Sequence, residues 1–230
     1  MRFDTYQGVL DISFLRLARS DALMKSYDPF VRDSIEKDLR SVGFDNPARV
    51  YAVYYDGGSN HSCGGGAWPP HVRGLVAALY LRGTPPGSVP CSQAQFAASP
   101  DAPPGYLEFG MLHEIMHTLG FVDSVAPHQT MSGHVSDSPT DLMYAGYESW
   151  SPSTLDFGAD DYFAPQLPQP LLNFFLSPLL GPSIGAATRA VRPIPASFKA
   201  SVLCPARDGG FCLEAPEALR PVPNRFLPPP

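Results

Sequence analysis

Hydrophobic positions fall into short, bounded runs over the first 120 residues and lose their order from about residue 164. Leu10, Ile12 and Phe14 alternate with Asp11 and Ser13, the period-2 pattern of a half-buried strand, which predicts a strand near 9–17. Asp28 followed by Pro29 suits a helix start. Phe30, Val31, Ile35, Leu39 and Val42 then share one helical face, and Gly43 suits a left-handed helix end. The run VYAVYYDG, 50–57, is rich in β-branched and aromatic residues and predicts a strand running into a turn. Gly, Ser and Pro dominate 58–73 and predict a loop, whereas GLVAALYLRG, 74–83, predicts a strand apolar enough to be covered on both faces. A Pro/Ser/Gly loop over 84–105 leads to a second helix at about 106–119. Strand, helix, strand, strand, helix is an α/β (α+β) layout with the last helix packed beneath a twisted sheet.

From 164 the picture changes. Fourteen of the 27 prolines fall in residues 164–230, with no hydrophobic period among them. We therefore expect a folded domain over 1–163 and a Pro-rich, extended or weakly ordered tail over 164–230, dispensable for melting behaviour and metal content.

Composition narrows the function classes. The formal charge is −6, from 16 Lys+Arg against 22 Asp+Glu, and no basic stripe exists to follow a phosphate backbone, which argues against a nucleic-acid partner. The most apolar stretch, 171–187, is broken by Pro178 and Pro182, so no membrane span is expected. Cys63, Cys91, Cys204 and Cys212 show no CxxC spacing, which disfavours a four-thiolate zinc site. Two disulfides are the alternative to buried thiols, with Cys63–Cys91 and Cys204–Cys212 the short-loop pairing. Oxidised cysteines imply an extracellular, secreted protein, yet the first twenty residues do not read as a signal peptide; the leader is expected to lie outside the given chain. A monomer is expected.

The second helix carries the candidate chemistry. Residues 113–117 read His113-Glu114-Ile115-Met116-His117. Two histidines four apart stand one helical turn above each other, close enough to grip one zinc ion. Glu114 would serve as general base, taking a proton from the zinc-bound water and passing it to a leaving amine. A polar face whose histidines merely hydrogen-bond is the bland alternative. It sits poorly with the apolar Leu107, Met111, Leu112, Ile115, Met116 and Leu119 around them, because buried imidazoles and carboxylates are costly without a partner.

Three residues after His117 stands Gly120, suited to a left-handed turn, and three further on Asp123, giving HExxHxxGxxD. In this stretch the chain resembles the metzincin clan of zinc endopeptidases, and the Asp at the third position is similar to the snapalysin group. Met143, in Asp141-Leu142-Met143-Tyr144-Ala145-Gly146, fits the clan's methionine turn, against the alternative of an ordinary core methionine. The resemblance covers about 6–147. It implies a zincin/metzincin-like fold with a small C-terminal subdomain holding the Met-turn, a peptide or protein substrate lying along an edge strand near 74–83 or its neighbour, and zinc held by His113, His117 and a third ligand. Asp123 has the register for that ligand, while His134 and His128 in the same loop are the other candidates.

Several residues stay open between roles. Tyr144 and Tyr147 could stabilise an oxyanion or pack in the core, and Trp68 and Trp150 could line a cleft or plug the interior. Asp137 and Asp141 could brace the loop or hold calcium. His61 and His71 are expected to be solvated, and Asp156, Asp160 and Asp161 to form a helix start or a solvated face. The expected activity is zinc-dependent peptide hydrolysis. Its rivals are a zinc-holding binding or adhesion module that cleaves nothing and a metal-dependent hydrolase of non-peptide bonds.

Overall fold

A computed structural model describes residues 2–91, 105–162 and, as backbone, 197–206. Strands β1 (Arg2–Phe3), β2 (Thr5–Tyr6) and β3 (Val9–Leu10) lead into β4 (Ile12–Ser20). The helices are α1 (Asp21–Lys25), α2 (Val31–Ser41) and α3 (Tyr106–Thr118). Strand β5 (Arg49–Tyr55), the two-residue β6 (Gly64–Gly65) and β7 (Val76–Tyr80) lie between α2 and α3. A short hairpin, β8 (Gln129–Thr130) and β9 (His134–Val135), follows α3, and β10 (Ser197–Ala206) is the last described strand. The main sheet runs β1-β10-β5-β7-β6, with β4 also paired to β10. All its pairings are parallel except β6 against β7, which joins Gly64 to Leu79 and Gly65 to Ala78.

The period of two along β5 and β7 divides the core into two halves. Val50 and Ala52 with Ala77 and Leu79 face one side, where Met111, Ile115, Met116 and Leu119 of α3 cover them. Tyr51, Val53 and Tyr55 with Val76, Ala78 and Tyr80 face the other, against Met24 of α1 and Val31, Ile35 and Leu39 of α2. Every residue of β7 is buried, as a strand covered on both faces requires. The mixed α/β layout with α3 against the sheet is as expected, and among the described residues no helix is long and apolar enough to cross a membrane.

Four local departures have physical causes. The 9–17 strand is divided at Asp11, whose N–H donates to Asp4 O (2.9 Å). Helix α2 starts at Val31 after a 3₁₀ turn over Asp28–Phe30, and its flanking Phe30 and Val42 are exposed while Val31, Ile35 and Leu39 are fully buried. The 58–73 loop contains β6, which two glycines cannot announce by propensity. The edge strand is held where it is by the Cys63–Cys91 disulfide, the expected pairing, which ties its start to the loop after β7. Closing a loop of that length is worth roughly 3–4 kcal/mol in the chain-entropy account. Cys212 lies outside the described residues, and of Cys204 only the backbone, in β10, is described.

The fourth departure is the largest. Residues 197–206 fall in the stretch expected to be a tail, yet the structure inserts them as a strand between β4 and β5, pairing Ala200 with both Ile12 and Ala52. These ten residues of the stretch read as a tail are thus part of the sheet, because strand pairing depends on partners far away in sequence that a local period cannot reveal. Truncating the chain after residue 163 is accordingly expected to abolish the cooperative thermal transition followed by circular dichroism. A truncated chain melting within about 2 °C of the full one would show that β10 contributes little.

Candidate metal centre

Helix α3 crosses beneath β7 and carries the His113-Glu114-x-x-His117 segment along the floor of a cleft of about 770 Å³. Gly120, at φ +99°, turns the chain out of the helix, and Phe121 N–H closes that turn on Met116 O (3.1 Å). The chain then enters the β8–β9 hairpin, which returns His134 to the two helical histidines. His117 Nε2 lies 3.1 Å from both His113 Nε2 and His134 Nε2, and these last two are 3.2 Å apart. A tetrahedral ion with Zn–N bonds of about 2.0–2.1 Å keeps its ligand nitrogens about 3.3–3.4 Å apart, so the triangle has the size such an ion needs.

The opposite ring nitrogens fix the tautomers. His113 Nδ1–H donates to Leu142 O (2.7 Å), His117 Nδ1–H to Phe121 O (3.1 Å) and His134 Nδ1–H to Met131 O (2.8 Å). A carbonyl can only accept, so each proton sits on Nδ1 and each Nε2 presents a bare lone pair to the other two. Burial pushes the His113 imidazole down to about 3, and the neighbouring His134 adds to the effect. His117 is held well below the ordinary range by burial, then by His113 and His134, and His134 is lowered by burial. Three neutral imidazoles whose lone pairs converge without a hydrogen between them fit a metal cation.

Glu114 lines the same cleft. Burial pushes its carboxyl up to about 8, against the opposing pull of the Arg32 guanidinium and of the Gly66 N–H that it accepts. A cation bound nearby acts in the same direction as Arg32, favouring the carboxylate. The edge strand passes very close: a Cβ on Gly64 would fall 2.3 Å from Glu114 Oε1, and one on Gly66 2.6 Å from His117 Cβ. Only glycine permits that approach. Thr118 Oγ1 accepts Ala67 N–H (3.2 Å) and donates to Glu114 O (2.9 Å), pinning the edge strand to the helix.

The turn at 141–144 closes the site from the other side. Met143 is fully buried in the core that α3 covers, and its carbonyl accepts Val135 N–H (3.0 Å), next to His134. Asp141, also fully buried, braces the turn: Oδ1 accepts Met143 N–H (2.6 Å) and Tyr162 O–H (2.8 Å), and Oδ2 accepts Phe157 N–H (2.7 Å). Burial raises this carboxyl to about 6 despite those donors.

The structure brings together His113, His117 and His134, and leaves the other two third-ligand candidates outside. Asp123 Oδ1 accepts Val125 N–H (3.0 Å) and holds its own turn, away from the triangle. His128 Nδ1–H donates to Asp161 Oδ2 (3.1 Å), while Asp161 Oδ1 accepts His128 N–H (2.8 Å). Asp156 stands at the start of the 3₁₀ turn Phe157–Ala159, as one of the two expectations had it, and it and Asp161 are buried rather than solvated; Tyr147 is fully exposed rather than packed. Trp68, Trp150, His61, His71 and Tyr144 all line the cleft, a grouping that sequence spacing does not reveal.

Metal analysis separates the candidate ligands: His134→Ala is expected to lose the bound metal and Asp123→Ala to retain it, measured by elemental analysis after dialysis. A second prediction concerns His128, whose pKa is raised chiefly by its hydrogen bond to Asp161. A raised folded-state pKa contributes stability that is complete below the unfolded value, near 6.5, and is lost as pH rises through the folded value. The gap in urea midpoint between wild type and His128→Ala is therefore expected to shrink from pH 6 to pH 9. No protein-family model, curated protein or solved structure matches this chain, so the character of the site stands on its own geometry.

Proposed function

We propose that this protein is a zinc-dependent endopeptidase in which His113, His117 and His134 hold the ion and Glu114 is the general base. The observation that carries the reading is the triangle of three Nε2 lone pairs, each fixed by an Nδ1–H bond to a backbone carbonyl, beside a buried carboxylate in an open cleft. When bound, zinc supplies Lewis acidity, polarising a carbonyl and lowering the pKa of water from 15.7 to about 7. Glu114 accepts the proton released in the attack and returns it to the leaving amine, with the Gly66 N–H orienting its carboxylate. Strand β6 pairs on one side with β7, and among the described residues no strand pairs with its other edge, where an extended peptide would add. The absence of a side chain at Gly64 lets Glu114 lie directly against the strand that the peptide would pair with.

The likeness to metzincins finds support in the HExxH helix, the antiparallel edge strand and the buried Met143 turn. The third histidine follows His117 by 17 residues instead of standing at the Asp123 register, which sets this chain apart from the snapalysin pattern. The disulfide accords with secretion.

The test is Glu114→Gln on a casein-derived peptide set. The variant is expected to keep its zinc and lose about 10²–10⁴-fold in kcat/KM. Wild type and variant holding zinc alike while neither cleaves would replace the enzyme with a zinc-holding binding module.

A further inference from the structure

Trp68 and His71 lie in the turn that follows the edge strand, and this turn is built rigidly. Trp68 N–H donates to Val72 O and Val72 N–H to Trp68 O, both at 2.7 Å, closing the chain across Pro69 and Pro70. The indole is fixed again by Nε1–H donating to Val122 O (2.8 Å), in the segment that leaves α3 just after His117. It also fills the space beside Gly133, where a Cβ would come within 2.6 Å of Nε1. Gly133 immediately precedes His134, so the indole stands next to the loop that delivers the third imidazole. The His71 ring stacks on this indole with centroids 4.3 Å apart and planes 33° apart. His71 is exposed, and both rings line the cleft. An exposed imidazole laid on a doubly anchored indole adds nothing to the core; it presents a flat, preorganised surface.

The cleft's charge says what kind of group that surface receives. Among the described residues that line it, Glu114 is the sole carboxylate and no Lys or Arg contributes, in a chain with 16 Lys+Arg and 22 Asp+Glu. Recognition through ion pairs has no counterpart here, whereas a third ring can extend the stack in offset or edge-to-face geometry. Direction follows from the edge strand. Strand β6 runs from Gly64 through Gly65 towards Gly66, Ala67 and Trp68. Antiparallel pairing is the slightly more stable mode, and it sets the residues preceding the cleaved bond beside Trp68 and His71.

We propose that Trp68 and His71 form a specificity subsite that binds an aromatic side chain from the three substrate residues preceding the cleaved bond. This rests on the endopeptidase reading.

The experiment uses the zinc-loaded full chain and a peptide of fixed sequence, with Phe, Leu or Ala placed in turn at each of three positions on either side of the cleaved bond. The readout is the ratio of kcat/KM for Phe over Ala at each position within each variant, so that general losses of folding or metal cancel. Wild type is expected to prefer Phe by about two- to tenfold at one of the preceding positions. His71→Ala is expected to abolish most of that preference, and His71→Phe, which restores a flat ring, to recover it. A preference unchanged in His71→Ala, equal for Leu and Phe, or confined to residues after the bond would overturn the subsite and leave the peptidase standing. No cleavage of any peptide by zinc-loaded wild type would overturn the peptidase reading itself and the subsite with it.

Discussion

His113, His117 and His134 each give an Nδ1–H to a backbone carbonyl, of Leu142, Phe121 and Met131 respectively, and those three bonds decide what the imidazoles can do. Held as Nδ1–H tautomers, they have no hydrogen to place among their Nε2 atoms, which nonetheless stand 3.1–3.2 Å apart. Three lone pairs at that distance repel one another in a buried site, and a cation turns the repulsion into coordination. The carbonyls come from three separate devices: the turn at 141–144, the left-handed exit from α3 and the β8–β9 hairpin. Each belongs to the backbone of the fold, so the geometry of the three imidazoles is set before any ion is considered.

The pairing of the two helical histidines was legible because helix geometry alone brings positions i and i+4 together, and the HExxH spacing states that outright. The third was legible only as a set of candidates. Asp123, His128 and His134 all lie within one loop, and which of them reaches the helix depends on the hairpin pairing of Gln129 with Val135 and Thr130 with His134. That pairing buries no long apolar stripe and leaves little mark on the hydrophobic pattern. Asp123 shows why register misleads: a short carboxylate just past a helix can satisfy a nearby backbone N–H, here that of Val125, as readily as it can bind metal.

The same contrast runs through the fold. Strands β5 and β7 and helices α2 and α3 were readable because each buries a face whose period is local. Strand β6 was not, since its glycines are selected by what passes close to them, the Glu114 carboxyl at Gly64 and Tyr80 with Arg32 at Gly65, and not by strand propensity. Strand β10 was not, because its partners are β1, β4 and β5, some 150 to 195 residues earlier in the chain. Buried Asp141 belongs with these: its three donors, Met143, Phe157 and Tyr162, form a bracket visible only once the loops are folded together.

Glu114 shows how the parts constrain one another. Its carboxyl is buried enough to be pushed up to about 8, and the groups opposing that shift are the Arg32 guanidinium of α2 and the Gly66 N–H of the edge strand. Arg32 is itself buried and held by Glu36, whose carboxylate also accepts the Leu75 N–H at the entry to β7. The helix on the far face of the sheet therefore reaches Glu114 electrostatically while it anchors the strand that supports α3. A carboxyl in such a site is easily left protonated, and an ion held by the three imidazoles would supply a further positive charge favouring its ionised form. On the proposed reading, metal binding and base activation would be a single electrostatic condition, and the histidines without the ion would make a poor catalyst even with every side chain in place.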